Sequence, residues 1–119
     1  MIKETKYVIQ RHQKGDDLHW DLMIESDGVL KTWRIQSPAE QLAGQTIEAE
    51  QIFDHQLRFL TYEGPVNKGA GSVRIDDSGS CRIKLWNDDC IEGRFAGSQL
   101  NAAFILSRIS DSNWQLKCD

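Results

Sequence analysis

The sequence predicts an all-β protein: a compact closed or nearly closed β-barrel of about eight strands with one short peripheral helix. Three observations carry this. Short segments of alternating apolar and polar residues recur at roughly 8 to 12 residue spacing, each bounded by Gly, Asp, Asn or Ser, which is the pattern of sandwiches and barrels. A two-residue Asp27-Gly28 turn joins two such segments, the strongest short-range hairpin signal. Only one stretch carries a good helix start. Closure into a barrel also removes the exposed edges that an open sheet must protect.

In chain order the alternating segments are "KYVIQRH", "LHWDLMIE", "VLKTWRI", "QIFDH", "LRFLTYEG", "GSVRID", "CRIKLW", "CIEGRFAG", "AAFILSRI" and "WQLKC". A type I′ turn at Asp27-Gly28 fixes the register of the second and third segments, because both its central residues need positive φ. Ser26 then faces Val29, Ile24 faces Lys31, Met23 faces Thr32, Leu22 faces Trp33, Asp21 faces Arg34 and Trp20 faces Ile35. One face of this hairpin collects Trp20, Leu22, Ile24, Trp33 and Ile35 as core, and the other collects His19, Asp21, Met23, Thr32 and Arg34 as the polar lining of a cleft. Ser37-Pro38-Ala39-Glu40 reads as a capping box with proline at the first helical position, and Gly44 stops that helix after about two turns. "GPVNKGAGS" reads as a loop of turn glycines; no helix follows it, so it lacks the context of a phosphate-binding loop. Trp20 and Trp33 read as core. Trp86 and Trp114 stand among polar neighbours, with barrel packing preferred to base stacking for both.

At 119 residues the chain makes one domain, residues 1–119, with a single core. A net charge of −4 excludes the wholly basic surface of a general nucleic-acid binder, so any phosphate site is local. No run is long enough to cross a bilayer, "MIKETKY" lacks a leader's apolar stretch, and a monomeric cytoplasmic protein is expected. Three cysteines, Cys81, Cys90 and Cys118, form no CxxC pair and read as small apolar residues of a reducing compartment.

His19 and Asp21, two apart on one strand face, put their Cβ atoms roughly 6 to 7 Å apart, a span one metal ion bridges. A third ligand is available from "YVIQRH", where Val8, Gln10 and His12 share a face. Two imidazoles and a carboxylate suit Mn²⁺, Fe²⁺ or Zn²⁺ and leave coordination positions for water or substrate. His55, the last of three histidines, ends its segment as a fourth ligand, a proton donor or a hydrogen-bonded surface residue. Spacing alone leaves a plainer reading open, a solvated face with an ordinary Asp21–Arg34 cross-strand pair.

The residues resemble a known family, the 3′-phosphoesterase domain of bacterial DNA ligase D and its stand-alone relatives. The likeness runs from "YVIQRH" through "LHWDLMIESDGVLKTWRI", "IFDHQLRFLTYEGPV" and "GAGSVRIDDSG" to "FAGSQLNAAFILSRISDSNWQLK". It implies a compact β-barrel with a divalent metal, preferably manganese, that trims 3′-phosphate or 3′-ribonucleotide ends of DNA to a 3′-hydroxyl in repair and non-homologous end joining, beside a ligase and a polymerase. It also implies His12, His19 and Asp21 as metal ligands and His55 as a separate catalytic and phosphate-binding histidine.

The chain departs from that pattern. Met23 replaces an arginine two residues after the metal-binding aspartate, Phe59 a tyrosine, Ser37 a lysine and Ile47 another arginine. His12 and His19 are seven apart rather than six, and the charged N-terminal arm of longer members has no counterpart in these 119 residues. Arg34, opposite Asp21 and diagonal to Met23, is the candidate replacement that offers two parallel donors to a phosphate. Gln10, on the face of His12, is the candidate partner that fixes an imidazole or a water. Two other readings follow from the same residues. One is a DNA-end or partner-binding module that keeps the barrel and metal without turnover. The other is a two-histidine, one-carboxylate iron oxygenase site from His19, Asp21 and His55, disfavoured by the short 34-residue interval between Asp21 and His55.

Overall fold

A computed structural model describes residues 3–119; Met1 and Ile2, where the segment read for a leader begins, lie outside the described residues. The strands are β1 (Lys3–Lys14), β2 (Asp17–Ser26), β3 (Val29–Ile35), β4 (Thr46–His55), β5 (Gly64–Pro65), β6 (Ser72–Trp86), β7 (Cys90–Gly97), β8 (Asn101–Ser110) and β9 (Asn113–Cys118). Eight of them close an antiparallel barrel in the order β1-β2-β3-β4-β9-β8-β7-β6, with β6 pairing back onto β1; the short β5 lies outside the ring against the start of β6. The hairpin turn is type I′ in its signature, with φ of 51° at Asp27 and 84° at Gly28. Every pair expected across it is present, from Ser26 with Val29 to Trp20 with Ile35.

The barrel interior holds Tyr7, Ile9, Leu22, Ile24, Trp33 and Ile35 from the first three strands, against Phe95, Phe104, Leu106, Trp114 and Leu116. Trp33 and Trp114 meet edge to face at 5.5 Å between ring centroids. The polar neighbours of Trp114 belong to the outward face of its own strand, so strict alternation turns the indole inward. Trp20 and Trp86 are half-buried and pack against the same core.

Three expectations need correction. "LRFLTYEG" is no strand but a 3₁₀ turn over Leu57–Leu60, because Gln10 on β1 donates to the Phe59 and Tyr62 carbonyls at 2.9 and 3.1 Å and draws the segment across the barrel wall. The two-turn helix is a single 3₁₀ turn, Ala39–Gln41: the Ser37 hydroxyl donates to the Pro38 carbonyl rather than capping, and the Ala39 N–H goes to Asp76 at 2.7 Å. "GSVRID" and "CRIKLW" are one 15-residue strand. The intervening Asp77 is buried and accepts from the Tyr7 hydroxyl at 2.7 Å and from the Gln99 and Leu100 N–H groups at 3.0 and 3.1 Å, so it anchors the strand instead of turning it.

The second hairpin face also differs from its reading as cleft lining. Met23 joins Val8 and Leu30 in a small separate core, covered by Phe59, Leu60 and Ile75, while Thr32, His19 and Asp21 are buried beside it. This face is therefore the outer wall of the barrel under a roof formed by residues 56–71. All three cysteines are free; burial pushes the Cys81 thiol up to about 12 and Cys118 up to about 11, which keeps both protonated and inert. No helix among the described residues is long and apolar enough to cross a membrane.

Candidate metal centre

The β1–β2 hairpin sets His12 directly opposite His19 and Gln10 opposite Asp21. Since a strand repeats every two residues, His12, His19 and Asp21 project together from the outer wall. Their nearest ligand atoms all lie within 4.8 Å of one another, the group that can hold a metal among the described residues. His12 Nδ1 is 3.6 Å and His19 Nε2 3.5 Å from the same oxygen, Asp21 Oδ2, and the two imidazole centroids are 4.7 Å apart.

Their outer partners fix which nitrogen faces inward. His12 Nε2 lies 2.7 Å from the Ala70 carbonyl, so that nitrogen donates and Nδ1 turns its lone pair toward Asp21. His19 Nδ1 lies 3.5 Å from the Asp17 carboxylate, leaving Nε2 to face Asp21. Three acceptors thus converge on one point. Charge-assisted hydrogen bonds close to about 2.7–2.9 Å, and these separations are longer. His19 Nε2 and Asp21 Oδ1 are buried without any hydrogen-bond partner, a costly state for polar atoms that a cation between them resolves. The donor set and its orphaned atoms fit a divalent ion.

His55 stands outside that trio and is held by other means. Thr32 has one hydroxyl proton, which it gives to the Leu30 carbonyl at 3.0 Å. Its oxygen, 2.9 Å from His55 Nδ1, therefore accepts from the imidazole, and Nε2 is the nitrogen left for a ligand. Phe53 stacks on the ring at 4.7 Å and Phe59 meets it edge-on at 5.6 Å. Burial lowers the His55 pKa below 6.5, while the Asp21 carboxylate pulls it the other way, which places His55 within electrostatic reach of the centre.

The remaining sequence candidates fall as follows. Arg34 lies between Asp21 on β2 and Glu50 on β4, makes no ion pair among the described residues, and leaves Nε buried without a partner. The plain Asp21–Arg34 pair is thus not formed. Gln10 does not fix an imidazole; its amide holds the roof, since both its donor contacts go to the 59–62 carbonyls. Met23 and Phe59 fill the small outer core, Ser37 spends its hydroxyl on Pro38, and Ile47 packs against the barrel core. Sequence reasoning missed Thr32 as the His55 support and the "GPVNKGAGS" loop as the source of the Ala70 carbonyl. Gly71, at φ 93°, lies where a Cβ would overlap the Gln13 carbonyl, so glycine there lets the loop come close enough to reach His12.

Residues 10–108 match the model of the DNA ligase D 3′-phosphoesterase domain. The chain belongs to this family. Its relatives include the multifunctional non-homologous end joining protein LigD of Mycobacterium bovis, 30% identical over 115 residues covering 91% of this chain and 15% of that protein. The LigD of Mycolicibacterium smegmatis is 29% identical over 123 residues, covering 92% of this chain and 16% of that protein. That of Pseudomonas aeruginosa is 34% identical over 79 residues, 63% of this chain and 9% of that protein. The chain thus spans less than a fifth of the length of these curated relatives. Within the family domain, the matched stretch contains the whole His12, His19 and Asp21 centre together with His55 and Arg34.

Proposed function

We propose that this chain is a metal-dependent phosphoesterase that heals DNA 3′ ends during repair, removing a 3′-ribonucleotide or 3′-phosphate to leave a 3′-hydroxyl. The observation that supports it is the convergence of His12 Nδ1, His19 Nε2 and Asp21 on one point, near an imidazole held by Thr32, in a chain of the 3′-phosphoesterase family. His12 Nδ1, His19 Nε2 and an Asp21 oxygen would hold the ion, with manganese expected. When bound, it supplies positive charge to a non-bridging phosphate oxygen and activates water.

The chain's own residues do the rest. Ala70 and Asp17 hold the two imidazoles so that no reorganisation is needed on binding. Thr32 keeps the His55 proton on Nδ1 in the neutral ring. Nε2 therefore takes up a proton when a phosphate anion arrives and passes it to the leaving oxygen, work worth about 10²–10⁴-fold. Arg34, free of ion pairs, supplies two parallel N–H donors to the phosphate in place of the arginine that Met23 replaces.

A second reading has its own support: Met23 is sealed in the small outer core and offers no donor, so the fold can hold a DNA end without turning it over. The oxygenase set of His19, Asp21 and His55 is not the one brought together, since His12 takes the third place; that trio is still two histidines and a carboxylate, and it is the family match that favours the phosphoesterase.

The test incubates Mn²⁺-loaded protein with primers ending in a ribonucleotide or a 3′-phosphate and scores the 3′-hydroxyl by polymerase extension. Wild type should produce extendable ends, His19→Ala none, and Arg34→Ala few while its metal affinity stays intact. Metal uptake and DNA-end binding without extendable product would select the binding module. Neither uptake nor product would overturn both readings. DNA ends, a ligase and a polymerase as partners, and a cytoplasmic monomer belong to this same proposal.

A further inference from the structure

Phe53 has no packing reason to be where it is. It is the most exposed large apolar side chain among the described residues, at 73%. Its position comes from a β-bulge: Leu30 and Thr32, two steps apart on β3, face His55 and Ile52, three steps apart on β4. The extra residue breaks the alternation at Phe53-Asp54 and re-aims the phenyl ring, a common use of bulges beside active sites. The ring then lies nearly parallel to His55, 19° between planes at 4.7 Å, with its other face open to solvent. His55 is itself held by Thr32 and by the edge of Phe59, so the platform is fixed from behind.

We propose that Phe53 is a stacking platform for the nucleobase of the nucleotide whose 3′-oxygen carries the scissile phosphate. This rests on the phosphoesterase reading above and names the part of the substrate that reading leaves open. A phosphate at His55 Nε2 carries its nucleoside within one sugar's span of the ring beside it. A nucleobase offers a flat π-face whatever its identity, so the platform binds without sequence preference. The same nucleotide is present in 3′-phosphate and 3′-ribonucleotide substrates, so one platform serves both. It favours a base that is unpaired or frayed, whose face is free to leave the duplex stack.

The test compares 3′-phosphorylated primers whose last nucleotide carries either adenine or no base (a tetrahydrofuran residue). For wild type, loss of the base should raise KM by about 5- to 150-fold, the range spanned by one base–aromatic stack. Phe53→Ala should show that raised KM on adenine ends and no longer distinguish the two primers, and Phe53→Trp should restore the difference. A Phe53→Ala protein that discriminates as well as wild type overturns the platform. Binding is also read without turnover, in EDTA, from quenching of 2-aminopurine at the 3′ nucleotide. Quenching by wild type and Phe53→Trp but not by Phe53→Ala supports the platform even if no primer is cleaved, and equal or absent quenching in all three refutes it while leaving phosphoesterase activity to its own assay.

Discussion

If His12, His19 and Asp21 converge to hold a cation, divalent metal should stabilise the fold by an amount that can be worked out in advance. Two imidazole nitrogens lie 3.5 and 3.6 Å from Asp21 Oδ2, and His19 Nε2 and the second carboxylate oxygen, Asp21 Oδ1, have no hydrogen-bond partner. A ligand at 100 times its Kd that binds only the folded state adds about 2.7 kcal/mol. Unfolding entropy is about 2.1 cal/mol/K per residue, so a chain of 119 residues carries about 0.25 kcal/mol/K. Saturating Mn²⁺ should therefore raise Tm by about 11 °C over the EDTA-treated protein, the rise growing with the logarithm of metal concentration. Melting curves followed by tryptophan fluorescence, over a manganese titration, read this directly. His19→Ala should abolish the rise, and Asp21→Asn, which keeps the shape and removes the charge, should reduce it strongly. A wild-type Tm unmoved by millimolar Mn²⁺, or an equal rise in His19→Ala, would show that the convergence is a packing accident.

Three further outcomes follow from single groups. Asp77→Asn keeps an oxygen for some of the three donors it faces but turns an NH₂ on the rest, so it should cost about 2–4 kcal/mol, or about 8–16 °C in Tm, by thermal melting. Gly71→Ala forces a Cβ onto the Gln13 carbonyl and draws Ala70 away from His12; calorimetry on the folded variant should find metal affinity about 10- to 100-fold weaker. Burial lowers the His55 pKa in the folded chain, so the unfolded chain binds the extra proton first. The stability this represents is present above the unfolded value of about 6.5 and is lost as pH falls through it toward the lower folded pKa. Melts in EDTA should therefore show wild type losing more stability than His55→Gln between pH 7 and pH 5.

The parts of this molecule that were readable in advance are those governed by local rules. Positive φ at Asp27 and Gly28 set the turn, the turn set the register, and a two-residue period then placed His19 and Asp21 on one face and Trp20, Leu22 and Ile24 on the other. What stayed hidden depends on contacts between distant segments. Gln10 binds carbonyls 49 and 52 residues away and converts an alternating segment into a 3₁₀ turn. The strand through Asp77 read as two segments because the three donors that anchor it come from Tyr7 and the 99–100 loop. Thr32 and Ala70 carry no chemical signature of a support role; only the closed barrel and its roof bring them to His55 and His12.

The distribution of unmet polar atoms separates ligand site from scaffold. Gln10, Thr32 and Asp77 are all buried, and each has partners. Apart from three indole nitrogens, the buried side-chain atoms without partners among the described residues are His19 Nε2, Asp21 Oδ1 and Arg34 Nε, and all belong to the paired strands β2 and β3. The indole N–H groups pack into apolar core, whereas these three atoms belong to charged or metal-ligating side chains on one face of the hairpin, which is the pattern expected if a ligand satisfies them. Unequal stability effects follow for the two residues that flank Asp21 across the sheet. Gln10→Ala leaves the Phe59 and Tyr62 carbonyls without their donor and should cost about 1–3 kcal/mol. Arg34→Ala removes an unmet donor and no ion pair, so the metal-free protein should stay within about 1 kcal/mol of wild type. If chemical denaturation instead finds Arg34→Ala the more damaging of the two, the arginine is part of the scaffold and the phosphate must be held by other groups.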